Sequence, residues 1–221
     1  MTPSGLSVEV SHGALVAGAR SADRERAVFD LRRDAWGHGL GRALDALVAA
    51  GARHAVADPA DTPRVQAAGI AVTAVADGAS AAVYGLPSSP AMRAVSVVLS
   101  TKRLRAGEGV SYGYTHRATT DTWIGLVAGG YGQGVARALG NRVAIAVDGR
   151  MCPVVGRIAM DVCVVDLGAD GARTLPGTPV TLFGGEGPAR GNLLAWTEAT
   201  GWSAAELAGV IGASVPRRTV A

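Results

Sequence analysis

Lysine is almost absent from this sequence. Of its 21 basic residues, 20 are arginine and one, Lys102, is lysine. The lysine ε-amine is the side chain that forms a Schiff base with a carbonyl compound, so covalent imine chemistry here passes through Lys102 or comes from elsewhere. Cysteine is equally scarce. Cys152 and Cys163 stand at a spacing that fits no metal template, and Cys163 sits in the apolar run 162–165 as a buried thiol would. A reducing cytoplasm is the expected location. No apolar run reaches the roughly 18 residues a membrane-spanning helix needs, and no charged stretch followed by an apolar one opens the chain, so neither a membrane nor a secreted protein is expected. The net charge of +3 has no basic stripe behind it: the arginines are single or paired, as at Arg217 and Arg218, without interleaved aromatics. No nucleic-acid partner is expected. Charged residues reach only 18% against 48% hydrophobic, which excludes a disordered chain.

A length of 221 residues accommodates one full domain, or one with a fragment of another. Residues 6–10 alternate apolar and polar as a half-buried strand does, and a helix follows. The run 27–31, a glycine-rich turn at Gly37, Gly39 and Gly41, and helical spacing over 43–50 read as strand, loop and helix. The pattern repeats with 54–57 as a strand, 61–68 as a helix capped by Asp61 or Thr62, and 70–75 as a strand. Strands alternating with helices imply parallel pairing. Pro87-Ser-Ser-Pro90 marks a boundary. Beyond it, the β-branched runs 94–100, 122–128, 143–147, 154–158, 162–167 and 180–183 read as a barrel or sandwich, with helices only at 193–199 and 204–210. The expected fold class is α+β, with 1–90 as a short α/β piece and 91–221 as a mostly β domain. A closed barrel of strand–helix units needs about 250 residues, so the first piece holds two or three units. The loops 37–41 and 130–134 lack the dinucleotide-binding spacing and read as turns needing positive φ.

Several segments together resemble one family. Asp34-Ala-Trp-Gly-His-Gly39, Ala106-Gly-Glu-Gly-Val-Ser-Tyr-Gly113, Gly130-Tyr-Gly-Gln-Gly134 with Ala136-Arg-Ala-Leu139, Pro153-Val-Val-Gly-Arg-Ile-Ala-Met-Asp161 and Val215-Pro-Arg217 look, in that order, like alanine racemase. The resemblance covers 91–221 and, more loosely, 6–70, which look like the first strand and first two strand–helix units of that family's TIM-like barrel, with the rest cut out between about 75 and 91. It implies a pyridoxal-phosphate enzyme in which the barrel of one subunit carries the cofactor and the β domain of the other closes the site.

Carried over residue by residue, the cofactor half is degenerate. The position of the aldimine lysine, two before the Asp-Ala-Tyr-Gly-His-Gly motif, is Arg32, and a guanidinium forms no imine. The motif's phosphate-reaching tyrosine is Trp36, with a single N–H donor, and a second phosphate-site tyrosine aligns with Ala205. The other half persists. Tyr112 matches the tyrosine that moves the substrate's α-proton, which needs a neighbouring cation or hydrogen bond, so nearby arginines matter. Tyr131 matches one at the entrance, although Gly132-Gln133 replaces the usual Ala-Asp. Met160 matches the residue whose backbone N–H meets the substrate carboxylate, and Arg157 and Asp161 match polar groups of the entry corridor.

Each has a plainer alternative. Tyr112 and Tyr131 could fill a core, Arg32 could be solvated or paired with Asp30 or Asp34, and His38 could bond only to backbone. The resemblance implies a homo- or heterodimer with a racemase-type barrel subunit, a small amino-acid substrate, and no covalent aldimine on this chain. Such a chain would complete a partner's site in trans, or serve as a non-catalytic binding or dimerisation module. A cut barrel should expose unpaired strand edges and make the monomer sticky.

Overall fold

A computed structural model describes residues 5–23, 26–77 and 79–220. In chain order the first elements are β1 (Ser7–Ser11), α1 (His12–Ser21), β2 (Val28–Asp30), the single turn α2 (Arg32–Trp36), α3 (Leu40–Ala50), β3 (His54–Val56), α4 (Thr62–Ala67), β4 (Ala71–Val72) and α5 (Ala79–Val83). Then come β5 (Met92–Leu104), β6 (Gly109–Val110), β7 (His116–Arg117), β8 (Thr122–Ala128), β9 (Ala144–Val147), β10 (Arg150–Pro153), β11 (Val162–Gly168), β12 (Pro179–Phe183), α6 (Asn192–Thr200), α7 (Ala204–Ser214) and β13 (Arg217–Val220).

Local chemistry explains the helix limits. The Ser11 hydroxyl accepts from the Ala14 N–H and starts α1, while Ser203 and Glu206 form a reciprocal capping box at α7. Helix α3 buries Leu40, Ala43, Leu44 and Leu47 at helical spacing and stops at Gly51 in the left-handed region. Asp61 precedes α4, but its side chain makes no cap bond.

The strands β2, β3 and β4 form a parallel sheet, as the alternation with helices predicts. The larger sheet runs β10-β9-β12-β5-β1-β13, with β8 on the far half of β5 and β11 beyond it. Strand β5 turns this corner: Ala94–Val97 pair with β12, and a register shift between Val98 and Ser100 passes the rest to β8. One strand shared in this way bends the sheet toward a barrel.

Three expectations need correction. Residues 6–10 do form a strand, but β1 lies in the large sheet, antiparallel to β5 and parallel to β13, outside the parallel units. Alternation identifies the buried face of a strand and says nothing of its partner. The run 154–158 is buried loop; β10 ends at Pro153, and Val154 makes one isolated bridge to Val165. Apolar runs report burial before they report geometry. Of 70–75, only Ala71–Val72 is strand.

A continuous core runs under both sheets, from Leu15, Phe29 and Leu47 to Phe183 and Trp196, whose rings meet edge to face at 5.5 Å. Where α7 crosses α2 the backbones touch: a Cβ on Gly212 would lie 2.3 Å from the Gly37 carbonyl oxygen. Gly212→Ala should therefore force the two elements apart and lower stability by about 1–3 kcal/mol, read as a lower urea midpoint with an unchanged m-value.

Candidate active site

The parallel strands end on one edge, and a cleft of about 980 Å³ opens there. Asp30 closes β2, Asp58 follows β3, and α2 supplies Arg32, Arg33, Asp34 and Trp36; α7 and its approach add Trp202, Ala205, Glu206 and Val210. The carboxyl ends of parallel strands are where α/β folds place ligands.

The cleft's floor is a left-handed turn. Arg33, Asp34, Ala35 and Trp36 all hold φ between 51° and 56°, and Gly37 follows at 76°. Each non-glycine residue in that region costs about 1–2 kcal/mol, so the turn persists only because its surroundings fasten it. The Arg33 N–H donates to Asp58 Oδ2 at 2.7 Å and the Leu40 N–H to Asp34 Oδ1 at 2.7 Å. Arg217 pairs with Asp34 and also donates to the Gly37 carbonyl at 3.1 Å. Gly37 meets α7 at Gly209 and Gly212; a Cβ on Gly212 would clash with the Gly37 carbonyl, whereas one on Gly209 would lie in ordinary contact with Trp36.

Arg32 is ion-paired, and its partner is Asp30. Nε and Nη2 reach the two carboxylate oxygens at 2.9 and 2.6 Å, a bidentate geometry. Burial would raise the Asp30 carboxyl, but the hydrogen bonds from the Arg32 side chain and backbone outweigh it and hold the group below its usual range. His38 is fully buried behind the turn. Its Nδ1 lies 3.0 Å from the Ala35 oxygen and 3.1 Å from that of Trp36; both can only accept, so Nδ1 carries the proton, while Nε2 has no partner. Burial pushes this imidazole down to about 4. It bonds backbone, the plainer of the two readings of its position, and burial keeps it neutral. Its ring stacks on Tyr84 at 4.4 Å.

The second cluster lies on the β-rich part. Tyr112 is 82% exposed, Met160 56% and Tyr131 40%, so neither tyrosine fills the core. Two loops carry them, and polar ties join the loops. Ser111, at φ 56°, accepts the Arg157 N–H on its Oγ at 2.6 Å, and the Arg157 guanidinium lies beside Gly113. Asn141 donates to Thr115 Oγ1 at 3.2 Å and accepts the Gly156 N–H at 2.6 Å. Tyr112 is thus held from both flanks. Tyr131 and Gly132 donate their N–H groups to Ala159 and Met160, and Gln133 donates to Asp161 Oδ1 at 2.9 Å, so Gln133 keeps a polar link to the 157–161 loop. The Arg137 guanidinium sits 5.0 Å from the Tyr131 ring centre.

The structure brings Arg32, Trp36 and Ala205 together in the cleft, and Tyr112, Tyr131, Arg157, Met160 and Asp161 onto the joined loops. Neither Tyr112 nor Met160 lines the cleft. Trp202 and Val210 line both the cleft and a recess of about 370 Å³ beside Tyr131. Sequence reasoning missed Asp58, Trp202 and Glu206 in the cleft, and Ser111 and Asn141 between the loops. The Ser203-Ala-Ala-Glu206 capping pattern would have located the cleft wall, whereas nothing local marks Asp58.

No lysine is among the residues that line the cleft. Lys102 lies exposed on β5 and does not line the cleft. The lining holds four carboxylates (Asp30, Asp34, Asp58 and Glu206) against the guanidiniums of Arg32 and Arg33, and counting Arg217 behind Asp34 still leaves carboxylates in excess. Among the described residues no group of three metal-ligating side chains occurs, and no helix is long and apolar enough to cross a membrane.

Two outcomes follow from this geometry. His38 stays neutral in the fold and protonates near 6.5 when unfolded, so the unfolded chain binds more protons between those values and stability falls as pH drops from about 6.5 towards 4. The loss should be on the order of 2–3 kcal/mol; urea midpoints between pH 7 and 5 should lose most of this slope in His38→Asn. Asn141→Gly keeps the left-handed backbone but removes both ties. The amide order parameter of Tyr112 should then fall from the rigid range near 0.85 to below about 0.6, and an unchanged value would show that the tie does not hold the loop.

The family model for the alanine racemase C-terminal domain matches residues 91–219, more than half of the chain. The alanine racemase of Mycobacterium tuberculosis is 44% identical over 112 residues, which are 47% of this chain and 29% of that protein. The chain thus spans under a third of the length of this curated relative. The solved racemase of Streptomyces coelicolor superposes with a TM-score of 0.81 at 21% identity over 98% of each chain. That of Bartonella henselae, described with covalently bound pyridoxal phosphate, gives 0.79 at 14% identity over 99% of this chain and 100% of that one, and both likenesses speak to the fold. Because the matched stretch contains the strands and loops that carry Tyr112, Tyr131 and Met160, the chain belongs to the alanine racemase family.

Proposed function

We propose that this chain is a racemase-type subunit whose Tyr112 completes, in trans, the amino-acid site of a partner that owns the lysine and the cofactor. Alone it racemises no alanine. One observation carries the reading: Tyr112 is 82% exposed yet tied on both flanks through Ser111 and Thr115, which is a group presented outward. A tyrosine left over from a lost activity has no physical reason to be held this way. The cleft favours the same division of labour, since its amine position is an arginine already occupied by Asp30.

In this reading the two parts, 1–90 and 91–221, have unequal tasks. The first, β1 apart, is a shortened α/β barrel piece, and the second presents the acid/base group. The Tyr112 phenol exchanges the α-proton of a bound amino acid, alanine by the family's name. The Met160 backbone meets the substrate carboxylate, Tyr131 narrows the entrance, and Arg157 and Asp161 line the approach. Two-fold assembly, with this chain or a complete racemase subunit as partner, brings such a loop to a neighbour's cleft. Both cysteines are free and buried, in keeping with a reducing cytoplasm.

The test mixes this chain with a complete racemase subunit whose own tyrosine at the Tyr112 position has been changed to phenylalanine. Racemase activity should return with the wild-type chain and stay absent with Tyr112→Phe, while both form the complex. Absence of a complex overturns the reading. A complex without activity replaces it with the binding or dimerisation module. The isolated chain incubated with pyridoxal phosphate should show no borohydride-sensitive band near the visible edge.

A further inference from the structure

We infer that Asp77, Ser80 and Tyr84 close the outer edge of the parallel sheet, so that this edge takes no further strand from another polypeptide and the lobe meets a partner only as a finished body. The clause about the partner rests on the trans-site reading; the closure itself stands on geometry.

Leu31 donates its N–H to the Val56 oxygen at 2.8 Å, so the odd-numbered residues of β2 face β3 and the even-numbered ones face the outer edge. That edge presents four backbone groups, the N–H and C=O of Val28 and Asp30. All four are occupied. The Val28 N–H donates to Asp77 Oδ2 at 3.0 Å, and the Asp77 N–H donates to the Val28 oxygen at 3.3 Å. The Asp30 N–H donates to Ser80 Oγ at 2.7 Å, and the Tyr84 hydroxyl donates to the Asp30 oxygen at 2.8 Å. Ser80 and Tyr84 are 2% and 1% exposed, so water does not compete for these bonds. The expected sticky edge is therefore sealed on this side.

The route of the chain strengthens the seal. Thr73 still donates to Ala55 beside β4, and four residues later Asp77 is bonded outside β2. The segment 74–76 makes this passage in three residues, with a bend at Ala74 and the Thr73 hydroxyl bonded to the Val75 oxygen at 3.5 Å. On the far side β4 is two residues long, too short to template pairing. The same segment steadies the cleft, because the Tyr84 ring also lies 5.0 Å from the Trp36 ring and stacks on His38.

Amide hydrogen exchange on the full chain, read residue by residue by NMR, tests this. Val28 and Asp30 should be protected to within about tenfold of Phe29 and Leu31. Ser80→Ala should speed exchange at Asp30 at least tenfold with Val28 unmoved, and Asp77→Ala should do the reverse; the pair separates loss of the seal from loss of the fold. Free exchange at Val28 and Asp30 in the wild-type chain overturns the closure. With the complete racemase subunit added, protection should rise at 111–115 and stay constant at Val28 and Asp30. A new backbone partner at the β2 edge would overturn the inference even though a complex forms, whereas no complex at all would sink only the trans-site reading.

Discussion

The contact between α2 and α7 holds this molecule in its functional shape. Four consecutive non-glycine residues sit in a left-handed conformation that isolated L-peptides avoid, and they stay there because Gly37 presses its carbonyl onto Gly212 while Arg217 spans Asp34 and the Gly37 oxygen. Both partners come from opposite ends of the chain. The α/β segment therefore cannot hold its cleft without the C-terminal helix, and the cleft wall formed by Trp202, Ala205 and Glu206 exists because that helix is docked there.

From this contact the asymmetry of the site follows. The cleft lies at parallel strand ends, where small-molecule sites occur; among its lining residues carboxylates outnumber cations, and Arg32 is paired with Asp30. The tyrosine loops show the opposite relation. They carry exposed groups, yet are pinned by side-chain-to-backbone bonds from Ser111 and Asn141. The loops are thus ordered before any ligand meets them, and under the trans-site proposal that ordering entropy is already spent.

The parallel sheet of β2, β3 and β4 shows how a small sheet can still be a closed object. A parallel sheet of three strands leaves two edges, and here one is covered by Asp77, Ser80 and Tyr84 while the other is cut to two residues. Each device removes a hydrogen-bonding template, which is how native sheets avoid uncontrolled pairing. Tyr84 links this closure to the cleft through its contacts with His38 and Trp36.

Sequence alone determined the class of most segments, the loop at 154–158 being an exception. Alternation and helical spacing placed α1, α3 and most of the β-rich runs, and the single lysine restricts imine chemistry by composition alone. The motif spacing picked out Tyr112, Tyr131 and Met160. What the chain could not disclose locally was partnership: β1 alternates like any half-buried strand, yet its neighbours are β5 and β13, more than eighty residues away. Asp30 and Asp34 both flank Arg32, and only the fold assigned Asp30 to it and Asp34 to Arg217. The left-handed turn is likewise invisible, because its residues have no such preference of their own. Short-range patterns encode which face is buried; which distant group meets that face, and what strain it sustains, depends on packing among segments far apart in the chain, and so belongs to the tertiary structure.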